Sequence, residues 1–427
     1  MTENLLATLC MIGALLPVGA AALDGRVTDA QSGQPIPDAL VTAGQNVVRA
    51  DAHGRFSIDT ALGTIAARAP GYRRSEPAVK PDQAGQLEIR LAPFRPKALY
   101  LSFYGIGDKA LRQAALDLLD RTELNALVID VKGDGGMIPY KSTVALAGEV
   151  GAQRIITVRD IRALVDSLRQ KGVYLIARIV VFKDNPFALA RSELAVKTRG
   201  GAIWRDREHL AWVDPFRQEA WKYNLDIAVE AAAMGFDEIQ FDYVRFPDAV
   251  DVVYSQTNTE QNRVGAIAGF LAEARKRLAP FNVFVAADIF GYVCWNLNDS
   301  YIGQRLEVLA PELDYVSPML YPSGFQYGIP GYHDPVAHPQ EIVALSLKRA
   351  VERSGLPPLK FRPWLQAFRD YAFDRRQFTA TEIRQQIVAA EAFGSDGWML
   401  WNPHNNYSSD GLRERMPVMP PHSTELR

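Results

Sequence analysis

Cysteine is almost missing from this chain: Cys10 and Cys294 are the only two in 427 residues. That excludes a disulfide-stapled scaffold, and the lack of any CxxC pair or HExxH excludes a structural zinc site. The 6 histidines are scattered, and His333 and His404 read as loop hydrogen-bonders. Oxygen ligands could still hold calcium, but neither a cofactor nor a metal is expected. Neither charge is in excess, with 47 Lys+Arg against 49 Asp+Glu. Nucleic acid, which needs a basic footprint, is therefore not an expected partner. What is abundant is apolar: 48% of residues are hydrophobic and 22% charged, enough for a large core in an ordered chain of two or three domains.

One long apolar run stands at the N-terminus. It extends over 5–22 and ends in Ala20-Ala21-Ala22, an Ala-x-Ala-like cleavage signature before Leu23. Its length is near the lower limit for crossing a bilayer, Gly13, Pro17 and Gly19 interrupt it, and the preceding residues carry Glu3 and no base. A signal peptide over 1–22 is the expectation, ahead of an uncleaved anchor. It implies a periplasmic or secreted protein with no stable membrane span after cleavage.

Residues 23–94 alternate short strand-like runs with turn residues. The runs begin at Gly25, Ala39, Gly54, Ile65 and Leu87, with turns at Ser32-Gly33, Pro35–Pro37, Asp51–Gly54 and Pro70-Gly71. No window has a helical period, so a small antiparallel sandwich is expected. The residues Gly25-Arg-Val-Thr-Asp, Pro35-Ile-Pro-Asp-Ala-Leu-Val, Ala50-Asp51-Ala-His-Gly54-Arg-Phe56 and Ala69-Pro70-Gly71-Tyr72 resemble the carboxypeptidase regulatory-like domain. That resemblance implies a transthyretin-like sandwich serving as an accessory. Asp51 and His53 read as turn formers.

From residue 95 the pattern becomes α/β, and it continues to 415 before a polar tail over 416–427. Strand candidates recur at 98–103, 126–131, 173–181, 238–243, 283–288, 315–320, 361–366 and 397–401. Helical stretches lie between them at 109–121, 158–170, 215–234, 260–278, 340–353 and 381–393. Near-continuous apolar strands joined by crossovers predict a closed (β/α)₈ TIM barrel. An open doubly wound sheet is the competitor, but no strand is followed by GxGxxG or a P-loop.

In such barrels the chemistry sits at the C-terminal ends of the strands. Those ends carry Tyr104, Asp130 with Lys132, Arg178, Asp242-Tyr243 with Arg245, Asp288, Tyr321, Gln366, and Trp401-Asn402. Asp is a poor strand former and a buried charge needs partners, so three strand-end acids with aromatic neighbours indicate a site. The bland reading is a salt-bridged scaffold with Lys132, Arg178 and Arg245. Period-2 alternation sends Leu127, Ile129 and Val131 outward, and Asp130 and Lys132 toward the mouth. Glycoside hydrolysis usually needs two carboxyls, and adjacent strand ends about 5 Å apart suit a retaining pair, which makes Asp242 and Asp288 the candidates. Trp204, Trp212, Trp295 and Trp401 are candidates for stacking on sugar faces, whereas Trp221, Trp364 and Trp398 read as core.

The segments Leu127-Val-Ile-Asp130-Val-Lys132, Gly235-Phe-Asp-Glu-Ile-Gln-Phe-Asp242-Tyr-Val-Arg245-Phe-Pro247, Ala287-Asp288-Ile-Phe-Gly291, Ser317-Pro-Met-Leu-Tyr-Pro322 and Trp401-Asn402 resemble a glycoside hydrolase family long labelled a bacterial domain of unknown function. That family is likened to α-amylase-type barrels. The likeness implies a nucleophile at Asp242 and a proton donor at Asp288. It also makes Asp130, Lys132, Tyr104, Arg178, Tyr243, Arg245, Tyr321, Gln366, Trp401 and Asn402 candidate substrate contacts. Two positions depart from amylases: Gln240 stands where they have Arg, and strand five offers Asp instead of Glu, so amylase specificity does not transfer. The expected activity is hydrolysis of a polysaccharide or oligosaccharide. A non-catalytic glycan-binding barrel is the alternative, and a lyase or deacetylase a more distant one.

Overall fold

The computed structural model describes residues 21–60, 64–75 and 87–415. Most of the expected signal peptide and the whole polar tail lie outside the described residues. Eight parallel strands close into a barrel in chain order. They are Lys97–Leu101, Ala126–Lys132, Tyr174–Val180, Glu238–Asp242, Phe284–Phe290, Tyr315–Met319, Trp364–Gln366 and Trp398–Trp401, referred to below as strands one to eight. Each falls within about three residues of its expected position.

The helices Lys109–Arg121, Ile161–Gln170, Gln218–Met234, Glu260–Leu278, Pro339–Ser354 and Ala380–Phe393 form the outer layer. Their starts follow local chemistry. The Asp108 and Asp160 carboxylates accept the first free N–H groups of two helices, and Thr379 with Glu382 forms a capping box on a third.

Alternation within the strands divides the apolar residues into two cores. Leu127, Ile129, Val131, Ile179 and Phe241 pack outward under the helices. Tyr100, Val128, Ile176, Ala286, Trp364 and Met399 fill the barrel. The alternation fails at one place. Asp130 pairs with Arg178, but Lys132 pairs with Ile179, a bulge that inserts one residue and reverses the face of everything after it. Lys132 therefore points outward, contrary to expectation.

The N-terminal residues form two three-stranded sheets around a shared core that includes Val27, Phe56, Val41 and Ala67. In one sheet, Ala21–Asp29 lies between Arg55–Thr60, antiparallel, and Leu87–Leu91, parallel. The other comprises Asn46–Arg49, Leu40–Ala43 and Ile65–Arg68. Asn46–Arg49 is mostly exposed, with Val48 packed against the core, and has no counterpart among the sequence-predicted runs.

This module sits on the barrel floor, where the strands begin. Arg68 Nε lies 3.2 Å from Asp314 and Arg74 Nε 3.2 Å from Asp237. The Gly71 N–H donates to Asp396 at 3.1 Å. Each of these acids stands one or two residues before a barrel strand. Phe94, on the connecting segment, reaches into the floor with its ring 5.4 Å from that of Tyr174. Two cores are thus joined by ion pairs that are almost dry.

Breaking such a pair leaves an uncompensated charge, which costs about 3–5 kcal/mol when fully buried. Arg68→Ala is expected to lower stability by about 3 kcal/mol for this nearly buried pair, read as a denaturation midpoint. Arg90→Ala, whose partner Glu88 is solvent-exposed, should cost less than about 1 kcal/mol. Equal midpoints for the two variants would show that the floor contact carries no stability.

Candidate active site

At the mouth the strand ends deliver their polar residues to one point. Arg178, from strand three, is completely buried. Its Nη1 donates to Asp130 at 2.7 Å, its Nη2 to Asp134 at 2.8 Å and Asp242 at 2.6 Å, and its Nε to Asp242 at 2.9 Å. Its guanidinium carbon lies 4.9 Å from the centre of the Trp401 ring, which stacks on Tyr100 at 3.9 Å.

Asp242 is 6% exposed and lines the cleft. One carboxylate oxygen takes both Arg178 bonds, and the other accepts the Tyr243 N–H at 2.6 Å. Tyr243 has φ 47°, a left-handed backbone that costs a non-glycine residue on the order of 1–3 kcal/mol. This turn ends strand four and aims the Tyr243 N–H back at Asp242.

Asp288 neighbours Asp242, because Gln240 pairs with Ala286 and Phe241 with Ala287 in the adjacent strand. It is 1% exposed and lies behind the cleft lining. One oxygen accepts the Trp364 indole N–H at 2.7 Å, and the other has no hydrogen-bond partner. Burial, reinforced by the charge of Asp242, pushes its carboxyl well above the ordinary range and favours its neutral form. Asp130 is pushed up to about 6 by burial, against the opposing pull of Arg178. It differs from Asp288 in being fully engaged, accepting from the Tyr100 hydroxyl, the Phe103 N–H and Arg178.

The cleft encloses about 670 Å³. Arg178, Asp242, Tyr243, Arg245, Tyr321 and Trp401 line it, as expected from the sequence. Trp204 and Trp212 form one aromatic wall, and Phe368 and Tyr371 another.

Five candidate contacts do not line the cleft: Asp130 is 1% exposed and taken up by Tyr100, Phe103 and Arg178, and the other four fall elsewhere. Lys132, turned out by the bulge, is buried under helix Gln218–Met234, 2.6 Å from Asp184 and 2.9 Å from Asn224. Tyr104 is 66% exposed outside the cleft, because strand one stops at Leu101 and Ser102 caps a short helix. Gln366 is buried, with its side chain bonded to the Ser323 N–H and hydroxyl, and fixes a loop. Asn402 is spent on the Ala367 and Asn406 carbonyls. Trp295 also lies outside, donating to Ser346 at 2.9 Å.

Two residues that matter, Tyr100 and Asp134, were not singled out, and a third, Trp364, was given only one of its roles. Tyr100 is signalled by strand alternation, which points it inward with Ala98. Trp364 reads as core yet both lines the cleft and holds Asp288. Asp134 follows strand two in a Gly-rich loop and gives no signal of its own. Among the described residues no group of three or more His, Cys, Asp or Glu side chains is arranged to hold a metal.

A family model described as "Putative glycosyl hydrolase domain" matches residues 98–407. No curated protein matches the chain. Among solved structures, a hypothetical protein from Ruminiclostridium thermocellum is 36% identical over 44% of this chain and 96% of its own, with TM-score 0.40. The PgaB (BpsB) glycoside hydrolase domain from Bordetella bronchiseptica is 15% identical, covering 73% of this chain and 95% of its own, with TM-score 0.54. A chitinase from Chromobacterium violaceum is 12% identical over 74% and 96%, with TM-score 0.45. The PgaB likeness shows the fold.

A folded-state pKa raised above the unfolded value gives stability that is present at low pH and lost as pH rises. For Asp130 that loss runs from about 4 to about 6. For Asp288, whose carboxyl burial pushes well above the ordinary range, the loss likewise begins at about 4 as pH rises. Asp288→Asn removes this titration. Its melting temperature relative to the unaltered protein should therefore rise steadily between about pH 4 and pH 7. A difference constant with pH would mean that Asp288 is ionised in the folded state.

Proposed function

The chain belongs to the family of "Putative glycosyl hydrolase" domains, and from that footing we propose that it is an exported hydrolase cleaving glycosidic bonds of a polysaccharide over Asp242. The observation that carries this reading is the pairing of unlike carboxyls on adjacent strands. Asp242 is bonded to a cation at the cleft wall, while Asp288 beside it is buried with one oxygen free, which favours its neutral form. A cation-paired carboxyl at the cleft wall beside a buried one whose neutral form is favoured is the asymmetry that nucleophile and acid roles require.

In the proposed sequence Asp242 attacks the anomeric carbon from the cleft wall. Arg178 orients it and compensates its charge while the sugar ring develops positive character. Asp288 gives its proton to the leaving oxygen, then as carboxylate takes a proton from the water that releases the glycosyl group. Neighbouring strands about 5 Å apart favour this retaining course. Since Trp364 both lines the cleft and holds Asp288, a shift of the indole on substrate binding would bring the acid into reach. Trp204 and Trp401, both partly exposed, offer ring faces to sugars, with Trp212 packed behind Trp204. The N-terminal module serves as a carboxypeptidase regulatory-like accessory, and export rests on the apolar run over 5–22.

The near-complete burial of Asp288 favours a second reading, a glycan-binding barrel without turnover. A polysaccharide digestion screen separates the two. Asp242→Asn should lower release of reducing ends by several powers of ten. Asp288→Asn should cost about 10²–10⁴, and less on substrates with good leaving groups. Activity should fall on the alkaline side as Asp288 loses its proton. Glycan bound but never cleaved by the unaltered chain, with the two variants binding alike, would leave the binding reading standing.

A further inference from the structure

Arginines that are buried in this protein are committed to carboxylates. The four that are buried among the described residues, Arg68, Arg178, Arg263 and Arg362, each hold at least one. Arg245 departs from this inside the cleft. It is half-buried, and its guanidinium carbon lies 5.0 Å from the Trp212 ring centre and 5.1 Å from that of Tyr243. Its hydrogen bond goes to the neighbouring Phe246 carbonyl at 3.0 Å, and no carboxylate of the described residues is within ion-pair reach.

Two more cleft arginines share this condition. Arg207 is exposed with no ion pair among the described residues, and Arg369 donates only to the Arg375 carbonyl at 2.6 Å. The acids lining the cleft do not offset these charges. Glu208 and Asp206 lie 2.8 Å and 3.9 Å from Lys183, and Asp242 is bound to Arg178. Asp248 alone faces the three unpaired cations.

We propose that the glycan bound here carries acidic groups, that Arg245 reads them, and that Arg207 and Arg369 extend the recognition to adjacent units. This rests on the cleft being a glycan site. A guanidinium offers a planar fork of donors that matches the two oxygens of a carboxylate or sulfate, a fit hydroxyls do not reproduce. Contact with Trp212 and Tyr243, two rings that also pack on each other at 5.6 Å, restricts the fork before the ligand arrives. The cation therefore sits beside a partly exposed ring, Tyr243, that can stack on a sugar, the arrangement needed for a sugar bearing an acid substituent.

The test is binding by affinity electrophoresis, read with the full chain and with Asp242→Asn so that it does not depend on turnover. The probes are matched pairs: polygalacturonate and its carboxyl-reduced product, hyaluronan and its carboxyl-reduced product, chondroitin sulfate and its desulfated form. At least one acidic member should bind more than tenfold tighter than its neutralised counterpart, with the advantage shrinking as salt rises. The pairs distinguish carboxylate from sulfate recognition. Arg245→Gln should remove most of the advantage and Arg245→Lys restore part of it. If Arg245→Gln does not fold, the double variant Arg207→Gln with Arg369→Gln should still reduce the advantage severalfold. No acidic preference in any pair, including no binding at all, overturns the proposal, as does a preference that survives Arg245→Gln in a folded protein. Arg245-dependent binding without cleavage keeps this inference and removes the hydrolase reading. Hydrolysis of neutral glycan without acidic preference does the reverse.

Discussion

One guanidinium organises the mouth of the barrel. Arg178 is fully buried, and a charge in that position persists only where its donors are satisfied. Three aspartates from strand two, its following loop and strand four converge on it. Each would repel the others without the cation between them. The Tyr100–Trp401 stack closes over its face, so strands one and eight are drawn into the same knot. The position of Asp242, the seating of the second loop and the aromatic floor of the cleft all follow from where this side chain goes.

The arrangement also explains why two carboxyls so near each other differ. Asp242 lies within reach of Arg178 and of a backbone N–H, while Asp288 has only an indole donor. Arg178's remaining bonds go to Asp130 and Asp134, so strand five meets the charge of Asp242 without a cation of its own. The asymmetry comes from which strand supplies the arginine, not from any difference in the acids themselves.

Alternating strands, apolar helix faces and the spacing of crossovers made the barrel legible in the sequence, because each is a repeating pattern that burial enforces. Asp130, Arg178, Asp242 and Trp401 were legible for the same reason, as inward positions at strand ends. What escaped was local and non-periodic. A single inserted residue turned Lys132 outward, and a serine cap ended strand one before Tyr104. Gln366 and Asn402 were drawn into loop hydrogen bonds that depend on segments distant in the chain. Trp364 carries both a core and a cleft role, and its composition and position announce only the first.

The module and the cleft lie at opposite ends of the barrel axis, with Arg68 and Arg74 gripping the floor while Arg178 gathers the mouth. Since these ion pairs hold the two parts in register, the module fixes an orientation as well as a position. Whatever grips its outward faces, a wall, a membrane surface or another protein, would present the cleft away from itself. A long polymer could then cross the mouth without meeting the anchoring surface.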